Sequence, residues 1–388
     1  MFEGAWLLSS NDQLVVKRMS ATPMPTPLSF VSDIAPYQPG KPIDELAREL
    51  GFRASEIVKL ASNENPLGCS PKVRDAIQGE IKNIARYPDG SGHLLKESVG
   101  KKFQIDPVKI LLGNGSNDIL EMASIAFLDA GLSSVYSEHC FIVNKLATLS
   151  RGANGIEVPA RQFGHDLDAM LMAIRSDTKV IFVSNPNNPT GTFVSPEKVR
   201  KFIEKVPKHV LVVLDEAYTE YLEEKDQSNS LSWVDEFSNL LVTRTFSKVY
   251  GLASLRIGVG VGNKELIEVL NRIRQPFNVS SFAQAAVVAA LADDEFIERS
   301  REVNRQGMAQ IVSGLKSLGI EYIPSSGNFL TIDVGDGKGV FDALLREGVI
   351  VRPIGGYGMP RHIRVSVGLQ NENEKFLEAL RRVLSSDR

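Results

Sequence analysis

Short apolar runs alternate with amphipathic segments through the middle of the chain. Each run covers four to six residues and ends in a polar motif, and helix-like segments separate most of them. Apolar runs of this length between helices are typical of parallel strands that are buried on both faces. The segments concerned are 109–128, 133–150, 180–191, 210–218, 239–248 and 256–262. They predict an α/β domain built on a mostly parallel sheet flanked by helices.

The pattern changes towards the C-terminus. The segment 283–319 is long, charged and helix-like, and three strand-like runs (GNFLTIDV, GVIVRPI and HIRVSVG) then precede a final helix. This order predicts a smaller α+β domain in residues 286–388, and the helix-like PIDELARELG assigns residues 33–59 to it. The large domain then covers residues 60–285. Residues 1–32, with the proline-rich ATPMPTP, are expected to form a flexible arm.

Composition and charge narrow the function class. The 388 residues carry 44 basic and 47 acidic side chains, and this balance gives no basic surface for nucleic acid. Two cysteines are too few for a disulfide framework, the five histidines lack metal-ligand spacing, and no apolar run reaches the roughly 18 residues of a membrane span. The N-terminus is a poor signal peptide, and Met19 is a second candidate start. We therefore expect a cytoplasmic protein without metal, nucleic-acid or membrane partners.

Four polar motifs follow the apolar runs directly: GNGSND, NPNNPTG, DEAY and TFSK. Ligands bind beyond the carboxyl ends of strands in sheets of this type, so the four loops are expected to meet at one crevice. In TFSK, Lys248 stands among apolar residues, which disfavour the charged form of its amine. A neutral amine forms a Schiff base with an aldehyde, and this is the attachment that pyridoxal phosphate (PLP) requires.

Other residues match further needs of PLP. Asp215 follows VLVVL and is a carboxylate suited to a protonated ring nitrogen, although a structural ion pair explains it as well. Tyr218 and Asn188 have the chemistry to bind the 3-oxygen of the ring, and a plain turn is the alternative for Asn188. Phe141 is placed to stack on the ring or to belong to the core.

A phosphate site is predicted where GNGSND enters a helix. Backbone N–H groups at a helix start bind phosphate, and Ser116 and Asn117 lie at this one. Ser247 and Arg256 supply a further hydroxyl and a cation. A helix N-cap explains Ser116 equally well.

The motifs NPNNPTG, VVLDEAY and TRTFSKVYGLASLRIG together resemble those of fold type I, PLP-dependent class II aminotransferases. KLASNENPLG, RYPDG, GNGSND and HIRVSVG are similar to segments of the histidinol-phosphate aminotransferase family in particular. The resemblance extends from about residue 33 to the C-terminus. It implies a large PLP-binding domain, a smaller α+β domain and a homodimer.

The resemblance also implies residue roles. Lys248 would be the Schiff-base lysine and proton carrier, Asp215 the partner of the ring nitrogen, and Tyr87 a phosphate ligand contributed by the other subunit. The family's cofactor-binding positions fall on Ser116, Asn117, Phe141, Asn188, Asp215, Tyr218, Ser247, Lys248 and Arg256, and its substrate-binding positions on Tyr37, Asn65, Arg352 and Arg364. The implied reaction is ping-pong transamination between L-histidinol phosphate and 2-oxoglutarate, in histidine biosynthesis.

Other functions remain open on the sequence. An aminotransferase that prefers aromatic amino acids would share these motifs, as would a PLP-dependent decarboxylase of a phosphorylated amino acid or a C–S lyase. Asn144 stands where many relatives have tyrosine, which leaves the substrate preference open. A PLP-sensing transcription regulator needs a DNA-binding domain that about 30 N-terminal residues cannot hold. The string GVGVGN lacks the spacing of a dinucleotide-binding loop.

Overall fold

A computed structural model describes residues 25–386. In chain order the strands are β1 Val58–Lys59, β2 Ile110–Gly113, β3 Ser133–Ser137, β4 Asn154–Val158, β5 Thr178–Ser184, β6 Leu211–Asp215, β7 Leu240–Thr245, β8 Gly258–Gly262, β9 Tyr322–Ile323, β10 Phe329–Asp333, β11 Val349–Ile350, β12 Arg352–Pro353 and β13 His362–Ser366. The helices are α1 Ser29–Ser32, α2 Ile43–Leu50, α3 Pro71–Glu80, α4 His93–Phe103, α5 Ser116–Phe127, α6 Ile142–Leu149, α7 Leu167–Met172, α8 Pro196–Lys205, α9 Lys264–Asn271, α10 Ser281–Leu291, α11 Asp294–Leu318, α12 Gly337–Arg346 and α13 Gln370–Ser386.

A seven-stranded sheet in the order β2-β8-β7-β6-β5-β3-β4 forms the centre of the fold. The strands from β4 to β7 are parallel, and only β8 runs antiparallel to its two neighbours. The predicted mostly parallel sheet is therefore confirmed. The register sets Asp215 at the end of β6 opposite Ser184 on one side and Thr243 on the other.

Both faces of this sheet are buried, as the continuous apolar runs predicted. On β5, Ile181 and Val183 belong to one apolar cluster, while Val180 and Phe182 belong to another. Side chains of α8 cover the first face, and those of α5 and α9 cover the second. The polar residues that end the strands are consequently left at one edge of the sheet, where loops can meet.

A four-stranded antiparallel sheet, β12-β13-β10-β9, packs with α11, α12 and α13 around a separate apolar cluster. β1 pairs in parallel with β11, so the segment before residue 60 joins this C-terminal part of the chain. The helix-like segment 283–319 is helical over nearly its whole length, but it forms two helices, α10 and α11, that are separated by a short break. The proposed boundary at residue 285 falls inside α10, and the division into domains stays a prediction.

Three further expectations concern the N-terminal arm, membrane-spanning helices and metal sites. Residues 1–24, including Met19 and most of the predicted arm, lie outside the described residues. Within residues 25–386, no helix is both long and apolar enough to cross a membrane. No cluster of potential metal ligands occurs in that same range.

Candidate active site

A cavity of about 280 Å³ lies at the carboxyl ends of β5, β6 and β7. It collects side chains from distant parts of the sequence, as the strand-end motifs predicted. The predicted site residues that line it are Tyr37, Ser116, Asn117, Phe141, Asn188, Asp215, Tyr218, Ser247, Lys248, Arg352, Arg364 and Arg256. Their roles remain predictions, but their convergence on one cavity is a feature of the fold.

Asp215 forms the floor of the cavity at the end of the central strand β6. Its carboxylate accepts a hydrogen bond of 2.6 Å from the Thr243 hydroxyl on the adjacent strand. Burial raises the pKa of Asp215 to about 6, while the Thr243 hydrogen bond opposes that rise. The hydrogen bond from Thr243 only partly offsets the cost of burying the negative charge of Asp215. Such a carboxylate is suited to a cationic ligand group, for example a protonated ring nitrogen.

Lys248 extends into the same cavity from the turn that follows β7. Its Nζ donates to the Ser62 carbonyl at 3.3 Å. Burial lowers the pKa of Lys248 to about 8, and the positive charge of Arg364 lowers it further, against the carboxylates of Glu64 and Asp215. At neutral pH, a much larger fraction of Lys248 than of an ordinary lysine therefore carries the neutral, nucleophilic amine.

Gly251 allows the lysine turn to pack closely against the N-terminal loop. Gly251 has a φ of +71, and a Cβ there would lie 1.8 Å from the Gly68 carbonyl oxygen. A side chain at this position would push apart the two loops that carry Lys248 and Ser62.

A second end of the cavity is built for an anion. Helix α5 starts at Ser116, and Asn117 follows, so free backbone N–H groups of the first turn face this region. The N-cap residue is Gly115 and no side chain caps the helix, so capping does not account for the Ser116 hydroxyl. A Cβ at Gly115 would lie 2.6 Å from an Arg256 guanidinium nitrogen, which places that cation beside the helix start. With Ser247 in the lining, these groups fit a phosphate.

Tyr218, Asn188 and Arg364 form a connected polar wall. The Asn63 amide donates to the Tyr218 hydroxyl at 2.9 Å, and Arg364 donates to the Asn188 side-chain oxygen and to the Ala61 carbonyl. Burial raises the pKa of Tyr218 to about 12, so the phenol stays protonated. The buried Arg364 Nε has no hydrogen-bond partner among the described residues, which leaves a cationic donor for a ligand.

The donor set as a whole fits PLP. A nucleophilic amine, a buried carboxylate, a helix N-terminus with a cation, and a phenol beside an amide meet the separate needs of the aldehyde, ring nitrogen, phosphate and 3-oxygen. The residues that line the cavity thus supply a group for each of these four parts of the cofactor.

Comparison with known proteins agrees with this geometry. Residues 55–380 match the family described as aminotransferase class I and II. A histidinol-phosphate aminotransferase of Methylobacillus flagellatus is 55% identical over 92% of this chain and 97% of its own length. Histidinol-phosphate aminotransferase 2 of Pseudomonas aeruginosa is 53% identical over 92% of this chain and 97% of its own.

Solved structures show the same fold. The histidinol-phosphate aminotransferase of Sinorhizobium meliloti, solved in complex with pyridoxal-5'-phosphate, superimposes with a TM-score of 0.87 at 27% identity, covering 95% of this chain and 100% of that one. The chain belongs to the class I and II aminotransferase family. The aspartate aminotransferase of Thermus thermophilus, solved with maleate, has a TM-score of 0.79 at 23% identity over 93% of this chain and all of its own, and shares the fold.

Two predicted site residues of this aminotransferase lie outside the cavity lining. The Asn65 amide donates to the Val249 carbonyl at 2.8 Å and to the Ser300 hydroxyl at 2.9 Å, which ties α11 to the lysine turn. These contacts hold the Asn65 side chain outside the cavity lining, and its role in substrate binding stays a prediction. Tyr87 is 83% exposed and stacks on Phe277, with ring centroids 4.8 Å apart.

Eleven residues that line the aminotransferase cavity were not predicted, among them Ser62, Asn63, Glu64 and Tyr357. Asn63 has a left-handed backbone, with φ of +54, and its side chain is held between Tyr218 and the Ser366 hydroxyl. The motif SNENPLG contained a signal for this region, since asparagine tolerates such a backbone, but it does not tell which asparagine adopts it. Asn144, by contrast, is buried in α6 and does not line the cavity.

Proposed function

We propose that this aminotransferase holds PLP on Lys248 and transfers the amino group of L-histidinol phosphate to 2-oxoglutarate, giving imidazole acetol phosphate and L-glutamate. The observation that carries the proposal is the cavity itself, in which Lys248 and Asp215 lie between a phosphate-type site and a pair of arginines, Arg352 and Arg364. Relatives above 50% identity over nearly the whole chain are named histidinol-phosphate aminotransferases, which supports this substrate.

Each residue has a distinct task in this proposal. Bound PLP supplies an electron sink that makes the Cα proton of the amino donor acidic. Lys248, once its amine is free, would take that proton and deliver it to the former aldehyde carbon (C4′) of the cofactor, and its lowered pKa suits this exchange near neutral pH. Asp215 keeps the ring nitrogen protonated, and Tyr218 and Asn188 bind the 3-oxygen. Ser116, Asn117, Ser247 and Arg256 hold the cofactor phosphate.

The arginines bind the anionic end of either substrate. Histidinol phosphate has a phosphate and no carboxylate, whereas glutamate has carboxylates, and a guanidinium group binds both kinds of anion. Arg364 is already oriented by Asn188 and Ala61, and its Nε, which has no partner among the described residues, is a donor available to the substrate. Such orientation lowers the entropy lost when the substrate binds.

We also propose a cytoplasmic homodimer in which Tyr87 reaches the cofactor phosphate of the partner subunit. In support, Tyr87 lies outside its own cavity and belongs to a set of exposed apolar side chains. The others in this part of the chain are Ile81, Ile84 and Leu94, and Tyr87 itself stacks on the exposed Phe277 from a distant part of the sequence. Isolated monomers rarely leave so many large apolar groups exposed close together in sequence.

Titration with two amino donors tests the substrate assignment. The PLP-loaded protein is followed by its absorbance during addition of L-histidinol phosphate and, separately, of L-phenylalanine. We expect conversion of the cofactor to its amine form at a much lower concentration of histidinol phosphate, because Arg352 and Arg364 favour the more highly charged anion. Conversion by phenylalanine first would move this enzyme to the aromatic aminotransferases.

The pH dependence of cofactor binding tests the state of Lys248. Only the neutral amine attacks the aldehyde, and a pKa of about 8 keeps Lys248 mostly protonated below that pH and mostly neutral above it. We therefore expect the rate of PLP incorporation into cofactor-free protein to rise through a midpoint near pH 8, with free Nα-blocked lysine measured in parallel as the control. A midpoint equal to that of free lysine would contradict the buried environment.

A further inference from the structure

Tyr357 lines the cavity beside both substrate arginines and has no assigned role. The cavity lining brings together Arg352, Arg364, Tyr37 and Tyr357. The positive charges of Arg364 and Arg352 both act on the phenol of Tyr357, and the Arg352 guanidinium lies over the Tyr37 ring, 5.3 Å from its centroid. Tyr357 therefore belongs to the part of the cavity that receives a negative charge.

The two arginines have donors already committed to the protein. Arg364 donates through Nη1 to Asn188 and through Nη2 to the Ala61 carbonyl. Arg352 donates through Nη2 to the Gln38 carbonyl at 2.6 Å. These bonds orient the guanidinium groups, but they also reduce the number of N–H groups that remain for a ligand.

A phosphate ester needs more donors than a carboxylate does. A carboxylate presents two oxygens in a plane, which a single guanidinium fork can match. A phosphate monoester presents three non-bridging oxygens and carries up to two negative charges, so donors must also approach from outside the plane of one fork. A hydroxyl beside the two arginines can supply such a donor, and unlike a guanidinium it adds no charge that would also favour a carboxylate.

The Tyr357 hydroxyl is available for this task. It forms no hydrogen bond with any residue in the described range 25–386. Burial raises the pKa of Tyr357, and the charge of Arg364 only partly opposes that rise, so the phenol remains a protonated donor at physiological pH.

The backbone holds this phenol in a fixed position. Tyr357 ends a short 3₁₀ turn, Gly355–Tyr357, which Gly358 closes with φ of +75. The Nδ1–H of His139, in the loop after β3, donates to the Tyr357 carbonyl at 2.8 Å. The ring also packs against an apolar cluster formed by Ile323, Ile354 and Met359.

We propose that the Tyr357 hydroxyl donates a hydrogen bond to the phosphate of the amino donor and so selects phosphorylated donors over carboxylate donors. This inference rests on the proposed function and adds to it a residue that reads the phosphate specifically. Because the arginines bind both kinds of anion, Tyr357 affects the ratio between substrates more than the overall rate.

The variant Tyr357→Phe tests the inference by steady-state kinetics. It removes one hydroxyl and keeps the ring that packs on Ile354 and Met359. We expect kcat/KM for L-histidinol phosphate to fall about tenfold to a hundredfold, as is typical for losing a hydrogen bond to a charged group, and kcat/KM for L-phenylalanine to change less than about twofold. Tyr322→Phe, in β9 outside the cavity, is the matched control and should leave both values unchanged.

Equal losses with both donors, or no loss with histidinol phosphate, would overturn the role of Tyr357. If the wild-type protein fails to use histidinol phosphate, the proposed function fails, and anion inhibition of phenylalanine transamination tests Tyr357 separately. In the PLP-loaded protein the cofactor already occupies the phosphate site at α5, so added inorganic phosphate reports on the substrate arginines. Tyr357→Phe should then weaken inhibition by phosphate at least about fivefold and leave inhibition by acetate unchanged, whereas equal weakening would count against the inference.

Discussion

Replacing Lys248 by alanine or arginine lowers aminotransferase activity at least about 10⁴-fold while the fold survives. Alanine removes the nucleophile and proton carrier, and arginine keeps a cation that does not lose its proton in proteins. The expected loss is large because no other lysine lines the cavity within the described part of the chain. Turnover of the amino donor is measured together with circular dichroism of the purified variants, so that unfolding is recognised.

Lys96→Ala is the matched control for this experiment. Burial also lowers the pKa of Lys96, but this lysine lies in α4 and does not line the cavity. We expect the Lys96 variant to retain activity within a few-fold of the wild-type value. Substantial turnover in either Lys248 variant would refute the central assignment, and an equal loss in Lys96→Ala would mean that the effect is not specific to the cavity.

The strand-end residues of the site were predictable because their signals are local in sequence. An apolar run identifies a buried strand. The polar residues at its end, such as Asp215, or in the turn that follows it, such as Lys248, are then expected at the ligand-binding edge of the sheet. Their position could therefore be predicted without knowing which distant residues contact each other in the fold. The same logic predicted the mostly parallel sheet and its two buried faces.

The residues that escaped prediction depend on long-range contacts. Asn63 faces Tyr218 because its loop follows β1, which pairs with β11 nearly 300 positions later in the chain. Tyr357 is held at the cavity because His139, in the loop after β3, donates a hydrogen bond to the turn that carries Tyr357. Neither arrangement has a periodic or compositional signal, and the choice between Asn63 and Asn65 depends on one backbone angle.

The break between α10 and α11 has a similar origin. No glycine or proline separates the two helices, so the sequence pattern continues through the junction. Asp293 at the break instead accepts hydrogen bonds from Ser70 and Lys72, more than 200 positions earlier. A tertiary contact therefore ends a helix that local propensity would extend.

Replacing Asp215 by asparagine has opposite effects on the cofactor-free and the PLP-loaded protein. In the cofactor-free protein, the rise of the Asp215 pKa from 3.8 to about 6 corresponds to roughly 3 kcal/mol of ionisation free energy. Because the folded-state pKa of Asp215 is raised, the contribution of this one group to stability is most favourable below about pH 4 and is lost as the pH rises through about 6. An amide has no such cost, so Asp215→Asn should raise the melting temperature of the cofactor-free protein at pH 7 by several degrees, and much less at pH 4.

The sign reverses when PLP is bound. The carboxylate then pairs with the protonated ring nitrogen, and removing one partner of a buried ion pair is strongly destabilising. We expect Asp215→Asn to lower the melting temperature of the PLP-loaded protein relative to wild type, and to lower kcat about 10²- to 10³-fold.

Glu220→Gln separates this reversal from a general effect of neutralising a buried acid. Burial raises the pKa of Glu220 as well, but Glu220 lies outside the cavity and interacts with Arg244 at 3.5 Å. Its substitution should change the melting temperature in the same direction with and without PLP, because the cofactor does not contact it. A change of sign confined to Asp215→Asn would identify Asp215 as the residue that senses the charge of the cofactor ring. The same direction of change in both forms would mean that Asp215 is a structural carboxylate.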